Sequence, residues 1–217
     1  MIELSNYDAV IFDMDGVLVD SEPLWKIAMK EVFSSLGSNL EKSDFQKTVG
    51  LRIDEVIAYW KPIENWTPEI NDIETEIIVK MVSLINNQST PLPGVIETLD
   101  FLKLKTPIGL ATSSPQKLID AVLNTLDVKE YFDAIQSAET ETHGKPHPAV
   151  FLSAAKKMKV RPENCLVIED SLNGIIAAKA ARMEVVCIPE KTHLPNPKMN
   201  VADFQFENMN DFLNQIK

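Results

Sequence analysis

Short apolar runs, each followed by polar or turn-forming residues, recur along the chain and predict buried strands. The runs are Ala9 to Phe12, Ile108 to Ala111, Leu166 to Ile168 and Val185 to Ile188. Each is apolar throughout rather than alternating, which is typical of strands covered on both faces of a parallel sheet. Helical patterns separate the last three runs, at Leu118 to Leu126, His147 to Met158 and an Ala-rich stretch ending at Ala181. This alternation of strand and helix indicates an α/β fold.

The segment of residues 20–90 interrupts the alternation, because its apolar positions recur only at helical spacing. The pattern predicts three amphipathic helices: Trp25 to Leu36 after a cap at Asp20 or Ser21, Ile53 to Trp60 stopped by Pro62, and one opening at Thr67-Pro68 and reaching Ile85. Pro91 to Gly94 forms a stiff connector back to the α/β pattern. We therefore expect a helical domain of residues 20–90 inserted into an α/β core of residues 1–19 and 91–217.

The composition is that of an ordinary soluble globular protein, with 45% hydrophobic and 24% charged residues. Lys and Arg number 21 against 32 Asp and Glu, a formal charge of −11. This charge argues against a broad polyanion-binding surface, so we expect neither nucleic acid nor membrane as a partner. The N-terminus lacks the pattern of a signal peptide, which favours a cytoplasmic location. No apolar face is left unexplained, which favours a monomer, and Cys165 and Cys187 are expected to be buried reduced thiols.

Pairs of carboxylates follow two of the predicted strands. Asp13 and Asp15 come directly after the first strand, and Glu169 and Asp170 come after the third. Residues i and i+2 of an extended chain point the same way, and ligands of open α/β sheets bind at the carboxyl edge of the strands. If the two edges adjoin, up to four negative charges converge. Two like charges about 4 Å apart repel by roughly 4 kcal/mol at an effective dielectric near 20, so such a cluster requires a cation.

The chemistry of the ligands indicates which cation. Hard oxygen ligands without clustered histidine or cysteine favour Mg²⁺. We interpret His143, His147 and His193 as loop residues, because Pro146 stands between the first two and prevents a helical i, i+4 metal site.

Two further features suit a phosphate group. Thr112 to Ser114 place hydroxyls and backbone amides between a strand and a helix that begins with proline, and such a helix start binds anions. Lys145 lies in a turn before the next helix and can neutralise both a phosphate and a carboxylate. Taken singly, each feature also has an ordinary explanation as a helix cap, a turn or a surface charge. Their joint occurrence at strand ends and helix starts favours a phosphate-processing site.

The haloacid-dehalogenase superfamily is characterised by four motifs, which this chain resembles at Asp13-x-Asp15-Gly16-Val17-Leu18, Thr112-Ser113, Lys145-Pro146 and Glu169-Asp170-Ser171. The resemblance covers essentially the whole chain. It implies a Rossmann-like parallel sheet core with a small α-helical cap inserted after the first strand. Further stretches are similar to the bacterial hexitol and 2-deoxyglucose-6-phosphate phosphatases of the β-phosphoglucomutase-like group, among them Asp20 to Trp25, Gly50 to Asp54 and Leu92 to Val95.

The resemblance implies a phosphoric monoester hydrolase that acts on small sugar or polyol phosphates through an aspartyl-phosphate. Asp13 would be the nucleophile and Asp15 the general acid and base. Thr112, the Ser113 amide and Lys145 would hold the phosphoryl oxygens. Magnesium would be held by the Asp13 side chain, the Asp15 backbone carbonyl, Asp170 and Glu169, the last directly or through water. From the cap, Arg52 and Trp25 are the candidate substrate residues, although tryptophans of such an insert are by default packing residues.

Two other functions use phospho-aspartate chemistry. A β-phosphoglucomutase, an isomerase, usually carries a histidine five positions beyond the aspartate that ends the DGVxxD stretch. That aspartate is Asp20 here, and the residue five positions beyond it is Trp25. A non-enzymatic signalling switch, such as a receiver domain, needs neither a helical insert nor an acid/base like Asp15. The lifetime of the phospho-enzyme would separate a switch from a phosphatase.

Overall fold

The computed structural model describes residues 2–189 and 196–217, and of Lys42, Ser43 and Gln46 it describes only the backbone. The expectation for His193 concerns a residue outside these ranges. No helix within them combines the length and the apolar character that crossing a membrane requires.

A parallel sheet forms the centre of the molecule and confirms the predicted α/β fold. The strands of the described residues are β1 (Ala9–Phe12), β2 (Ile108–Thr112), β3 (Ala134–Ser137), β4 (Cys165–Glu169), β5 (Glu184–Cys187) and β6 (Phe204–Gln205). Their order across the sheet is β3-β2-β1-β4-β5-β6, with every neighbouring pair parallel. The apolar-run pattern does not predict the edge strands β3 and β6, because β3 carries Gln136 and Ser137 and β6 spans two residues.

Helices connect the strands and cover both faces of the sheet. They are α1 (Glu22–Ser35), α2 (Lys42–Phe45), α3 (Ile53–Glu64), α4 (Ile70–Gln88), α5 (Val95–Lys103), α6 (Gln116–Leu126), α7 (Ala149–Met158), α8 (Leu172–Ala180) and α9 (Met209–Ile216). Short 3-10 turns lie at Leu4–Asn6, Gln46–Thr48, Lys129–Tyr131, Ala138–Thr140, Pro162–Asn164 and Pro197–Val201. The sequence pattern does not predict α2, α5 or α9.

Helices α1 to α4 form the helical insert, which we define as residues 20–90. Within it, α1 and α3 pack against α4, and α4 packs on α6 of the core. The chain leaves the sheet and returns at neighbouring points, where the Leu92 amide donates a hydrogen bond of 2.9 Å to the Leu18 carbonyl. The prediction that Pro62 stops the second helix is wrong, because α3 continues through it to Glu64 and ends at Asn65 in the left-handed conformation. Proline lacks one amide donor, and here the loss falls in the last turn of the helix.

Two apolar clusters lie on opposite faces of the sheet. In β1, Val10 and Phe12 belong to one cluster, and Ala9 and Ile11 belong to the other. Successive strand residues point to opposite faces, so continuous apolar runs are what a sheet buried on both sides requires. The first cluster also contains buried residues of the insert, such as Ile77, so the insert and the core share one apolar interior. Both cysteines are free and buried, as expected.

Candidate active site

The carboxyl ends of three adjacent strands bring the sequence-predicted residues together. Strand β1 lies between β2 and β4, with Phe12 paired to Leu110 on one side and to Ile168 on the other. The Asp13 amide donates a 2.9 Å hydrogen bond to the Ile168 carbonyl, which continues the pairing past the end of β1. The residues that follow these three strands therefore share one edge. This is the strand-order switch point at which open α/β sheets bind ligands.

Lys145 is the cation at this edge. Its Nζ lies 2.8 Å from Asp13 Oδ1 and 2.6 Å from Glu169 Oε1, and all three side chains are buried. It also donates to the Ala111 carbonyl at 3.4 Å and lies 4.8 Å from the centre of the Phe151 ring. One ammonium group therefore joins the first and the fourth motifs.

The lysine does not balance the negative charge around it. Burial raises the pKa of Asp13 to about 7; Lys145 opposes this rise, and the charges of Glu169 and Asp15 add to it. Burial raises the pKa of Asp170 well above its ordinary value, and the neighbouring carboxylates Glu169 and Asp13 raise it further. Burial by itself lowers the pKa of Lys145, but Asp13 and Glu169 outweigh that effect and raise it. The lysine stays charged, and the site holds more negative charge than one cation neutralises.

The surplus carboxylates have the composition of a metal site. Asp13, Glu169 and Asp170 each offer an oxygen, and within the described ranges these atoms lie within 4.8 Å of one another. Oε1 of Glu169 accepts from Lys145, while its Oε2 accepts from the Asp170 amide and from the amide and hydroxyl of Ser171, each at 3.0 Å. No donor among the described residues is hydrogen-bonded to the Asp170 carboxylate. Hard oxygens with surplus charge fit Mg²⁺, and Asp13 and Asp170 are better available to it than Glu169.

Gly16 permits the close approach of Asp170. Its φ is 71°, in the left-handed region, and a Cβ built on it would lie 2.2 Å from Asp170 Oδ2. Both the backbone conformation and the space therefore require glycine at this position.

Asp15 is held in a different way from Asp13. Its Oδ1 accepts hydrogen bonds from Ser21 Oγ at 2.5 Å and from Trp25 Nε1 at 3.0 Å. Its Oδ2 accepts from Ser114 Oγ at 2.7 Å and from Thr112 Oγ1 at 3.5 Å. All four donors are neutral. Two carboxylates two residues apart thus have separate environments, one beside a cation and one among hydroxyls and an indole.

Thr112 and Ser113 are the remaining residues that the sequence predicts to contact phosphate. Among the described residues, no acceptor is hydrogen-bonded to the Ser113 amide, and the Ser113 hydroxyl donates to the Gly50 carbonyl of the insert at 3.2 Å. The first amide of α6, that of Gln116, already donates to Glu139 at 2.9 Å. The Ser113 amide, which the resemblance implies as a phosphate ligand, is therefore available in the loop between β2 and α6.

Arg52 lies apart from the other predicted site residues. Its Nε and Nη2 donate to the Asp54 carboxylate at 2.7 and 2.8 Å, and its Nη1 donates to the carbonyls of Ala138 and Glu141 at 2.9 and 2.8 Å. The guanidinium therefore joins the start of α3 to the core. Arg52 is not among the described side chains that line the cavity, whereas Trp25 is.

A cavity lies between the insert and the sheet edge. The core lines it with Asp13, Asp15, Gly16, Thr112, Ser113, Ser114, Pro115, Lys145, Asp170 and Ser171. The insert lines it with Ser21, Glu22, Trp25, Met29, Phe45, Thr48, Val49, Gly50, Leu51, Ile53 and Val56. Sequence reasoning treats Ser21 and Ser114 as helix caps and misses their contact with Asp15. Ser21 does precede α1, but its side chain makes no capping hydrogen bond. Serine residues close in sequence to the motif residues are the signal that could have revealed these contacts with Asp15.

Comparisons with known proteins agree with this geometry. The model of the haloacid dehalogenase-like hydrolase family matches residues 10–188. Hexitol phosphatase B of Escherichia coli (strain K12) is 38% identical over 206 residues, which are 94% of this chain and 93% of that protein. Fructose-1-phosphate phosphatase YqaB of the same strain is 32% identical over 186 residues, 83% of this chain and 95% of the relative. A solved β-phosphoglucomutase from Clostridium difficile superposes with a TM-score of 0.83 at 27% identity, covering 96% of each chain.

Proposed function

The chain belongs to the haloacid dehalogenase-like hydrolase family, and from this premise we propose that it is a magnesium-dependent phosphatase of small sugar or polyol phosphates with an aspartyl-phosphate intermediate. One observation carries the proposal: Asp13 is bound to the buried ammonium of Lys145, while Asp15 beside it is bound only by neutral donors. Neighbouring carboxylates in different environments suit different roles, here nucleophile and proton carrier.

In the first half-reaction, a carboxylate oxygen of Asp13 attacks phosphorus and the bond from phosphorus to the ester oxygen breaks. Asp15 gives its proton to the leaving alkoxide, which departs as an alcohol. Lys145, Thr112 and the Ser113 amide hold the phosphoryl oxygens. Because Lys145 contacts Asp13 at 2.8 Å, it also fixes the nucleophile in position.

In the second half-reaction, Asp15 removes a proton from a water molecule as that water attacks phosphorus. The bond between Asp13 and phosphorus breaks, and inorganic phosphate leaves. Asp15 is again protonated and Asp13 is again a carboxylate, so the net reaction is hydrolysis of a phosphate monoester.

Asp13, Asp170 and the Asp15 backbone carbonyl are the residues that would hold Mg²⁺, with Glu169 acting mainly through its hydrogen bonds. When bound, the ion neutralises the surplus charge of the carboxylates and of the phosphoryl group. The raised pKa values of Asp13 and Asp170 support this assignment, because burial and the neighbouring carboxylates disfavour their charged forms and a bound cation would offset both effects.

The lining of the cavity supports a substrate with one phosphate. Lys145 is the cation among the described lining residues, and the proposed reaction already uses it. The insert offers Glu22, Thr48 and apolar side chains to the remote end of the substrate, which suits hydroxyl groups rather than a second phosphate. Residues 20–90 then act as the cap of the site. The names of the relatives, which include a hexitol phosphatase and a fructose-1-phosphate phosphatase, point to the same substrate class.

The second candidate is a β-phosphoglucomutase, because the solved β-phosphoglucomutase from Clostridium difficile shares this fold at 27% identity. Trp25 weighs against it, because an indole donates a hydrogen bond but does not exchange protons with a second substrate hydroxyl. Conversion of β-glucose-1-phosphate to glucose-6-phosphate faster than phosphate release would favour the mutase.

The test combines turnover with capture of the intermediate. Purified protein is assayed for phosphate release from hexose-6-phosphates, hexitol phosphates and p-nitrophenyl phosphate, with Mg²⁺, with EDTA and with Ca²⁺. We expect turnover in Mg²⁺ but neither in EDTA nor in Ca²⁺, because Ca²⁺ takes more ligands at longer distances. Activity in EDTA equal to that in Mg²⁺ would contradict the metal assignment.

Two isosteric variants test the covalent step. With p-nitrophenyl phosphate, Asp15→Asn should accumulate protein carrying one phosphoryl group, measured by intact mass, because a nitrophenolate needs no proton but the attacking water needs a base. Asp13→Asn should gain none and should be inactive. Phosphate release by Asp13→Asn near the wild-type rate would refute the aspartyl-phosphate.

A further inference from the structure

Trp25 makes a contact that sets it apart from the other tryptophans of the insert. Its Nε1 donates to Asp15 Oδ1 at 3.0 Å. The Nε1 atoms of Trp60 and Trp66 are buried and have no hydrogen-bond partner among the described residues. Those two rings are packed within the apolar cluster, whereas Trp25 lines the cavity. The insert therefore contains one tryptophan aimed at a catalytic group and two that pack.

The hydrogen bond completes a four-donor arrangement around Asp15. Ser114 and Thr112 reach Oδ2 from the core, while Ser21 and Trp25 reach Oδ1 from the start of the insert. Rotation of the carboxylate would break at least one bond on each side. Serine and threonine hydroxyls can turn to follow a moving carboxylate, but an indole N–H is fixed in the plane of its ring. Trp25 is thus the donor that defines the orientation of Oδ1.

We propose that Trp25 is a positioning residue, which orients Asp15 for proton transfer to the leaving group, and not primarily a contact for the substrate. This inference rests on the proposed function, since it assumes that Asp15 carries the proton. The indole N–H donates a hydrogen bond to Asp15 but cannot accept a proton, so it orients the carboxyl group without taking the proton that Asp15 transfers. The role expected from the sequence, a substrate contact, becomes secondary.

The structure offers a matched pair of substitutions. Trp25→Phe keeps an aromatic ring and removes the N–H, and Trp60→Phe makes the same change where the N–H has no partner. The readout is kcat/KM on phenyl phosphate and p-nitrophenyl phosphate. This parameter covers the steps through departure of the leaving group. The two esters have similar shape, but phenol, with a pKa of about 10 like tyrosine, needs the proton far more than nitrophenol does.

We expect Trp25→Phe to lower kcat/KM on phenyl phosphate by about 10- to 100-fold, the effect of losing one hydrogen bond to a carboxyl that becomes charged as it gives up its proton. On p-nitrophenyl phosphate, Trp25→Phe should lower kcat/KM by less than about 3-fold. Trp60→Phe should change kcat/KM on either ester by less than about 2-fold, because its N–H has no hydrogen-bond partner. The rate should therefore depend more steeply on the acidity of the leaving group in Trp25→Phe than in the wild type.

Equal losses on the two esters would overturn the proposal and make Trp25 a substrate contact or a packing residue. A melting temperature for Trp25→Phe close to that of Trp60→Phe shows that both fold, and Ser114→Ala, which removes a donor to Oδ2, should steepen the same dependence. If the wild type hydrolyses the aryl esters but no sugar or polyol phosphate, the substrate class fails while the role of Trp25 is still decided. If it hydrolyses no ester, the proposed function fails, and the inference fails with it.

Discussion

Replacement of Lys145 by methionine should remove both activity and a large part of the stability. The substitution keeps an apolar stem of similar length and deletes the ammonium that lies 2.8 Å from Asp13 and 2.6 Å from Glu169. Removal of one partner from a buried ion pair costs about 3–5 kcal/mol, because the remaining charge stays buried. Here two carboxylates lose their cation. We expect the free energy of unfolding to fall by about 3–5 kcal/mol without metal, or roughly 6–20 °C in melting temperature for a domain of this size.

The loss of unfolding free energy in Lys145→Met should be larger at high pH than at low pH. Burial already raises the folded-state pKa of Asp13 to about 7 with the lysine present, and loss of Lys145 raises it further. A carboxyl whose folded pKa exceeds its unfolded value destabilises the fold as pH rises through that interval. At roughly pH 5.5 Asp13 is protonated in the variant, whereas at roughly pH 8 it is closer to ionisation, so the substitution should cost more at pH 8.

Urea unfolding followed by tryptophan fluorescence, in EDTA at both pH values, measures these free energies. Lys179→Met is the control, because Lys179 contacts Asp203 at 2.7 Å on the surface and such exposed pairs contribute under about 1 kcal/mol. A Lys145→Met variant within 1 kcal/mol of the wild type at about pH 8 would refute the reasoning. So would an equal loss at both pH values.

Gly174→Ala should lower the unfolding free energy by about 1–3 kcal/mol and the activity at least tenfold. A Cβ at this position would lie 1.7 Å from Glu169 Oε1 and would displace Glu169, the partner of Lys145. Urea titration measures the unfolding free energy, and phosphatase assays measure the activity. Mg²⁺ should raise the melting temperature more at pH 8 than at pH 6, because Asp13 and Asp170 have raised pKa values and must lose protons to bind it; an equal rise would contradict their role as ligands. Arg52→Ala should lower kcat/KM on glucose-6-phosphate and p-nitrophenyl phosphate by similar factors, since its guanidinium binds core carbonyls; a loss confined to the sugar phosphate would instead restore a substrate contact.

The sequence was informative where one physical requirement dominates. Burial of both faces requires continuous apolar residues, so the apolar runs predict the strands β1, β2, β4 and β5. They do not predict β3 at the sheet edge, because it contains Gln136. The carboxylates were predictable because their positions follow from strand ends. The direction in which a long side chain turns is not encoded in spacing. The sequence therefore predicts a substrate contact for Arg52, whose guanidinium instead binds Asp54 and core carbonyls. It does not predict the hydrogen bond from Trp25 to Asp15.

The hydrogen bond between Leu92 and Leu18 has a consequence for how new specificities arise in this architecture. Because the two ends of the insert meet at one point, a replacement segment of different length adds little closure cost, and each doubling of loop length costs only about 0.6 kcal/mol. The exceptions are the first turn of α1, where Ser21 and Trp25 hold Asp15, and the contacts of Gly50 and Arg52 with the core. A chimera that keeps the chain through Trp25 and residues 50–52, and takes the rest of the insert from a relative, should retain the hydrogen bonds around Asp15 and acquire the substrate selectivity of that relative. Under the proposed function, substrate preference can diversify by exchange of this segment while the residues around Asp15 stay unchanged.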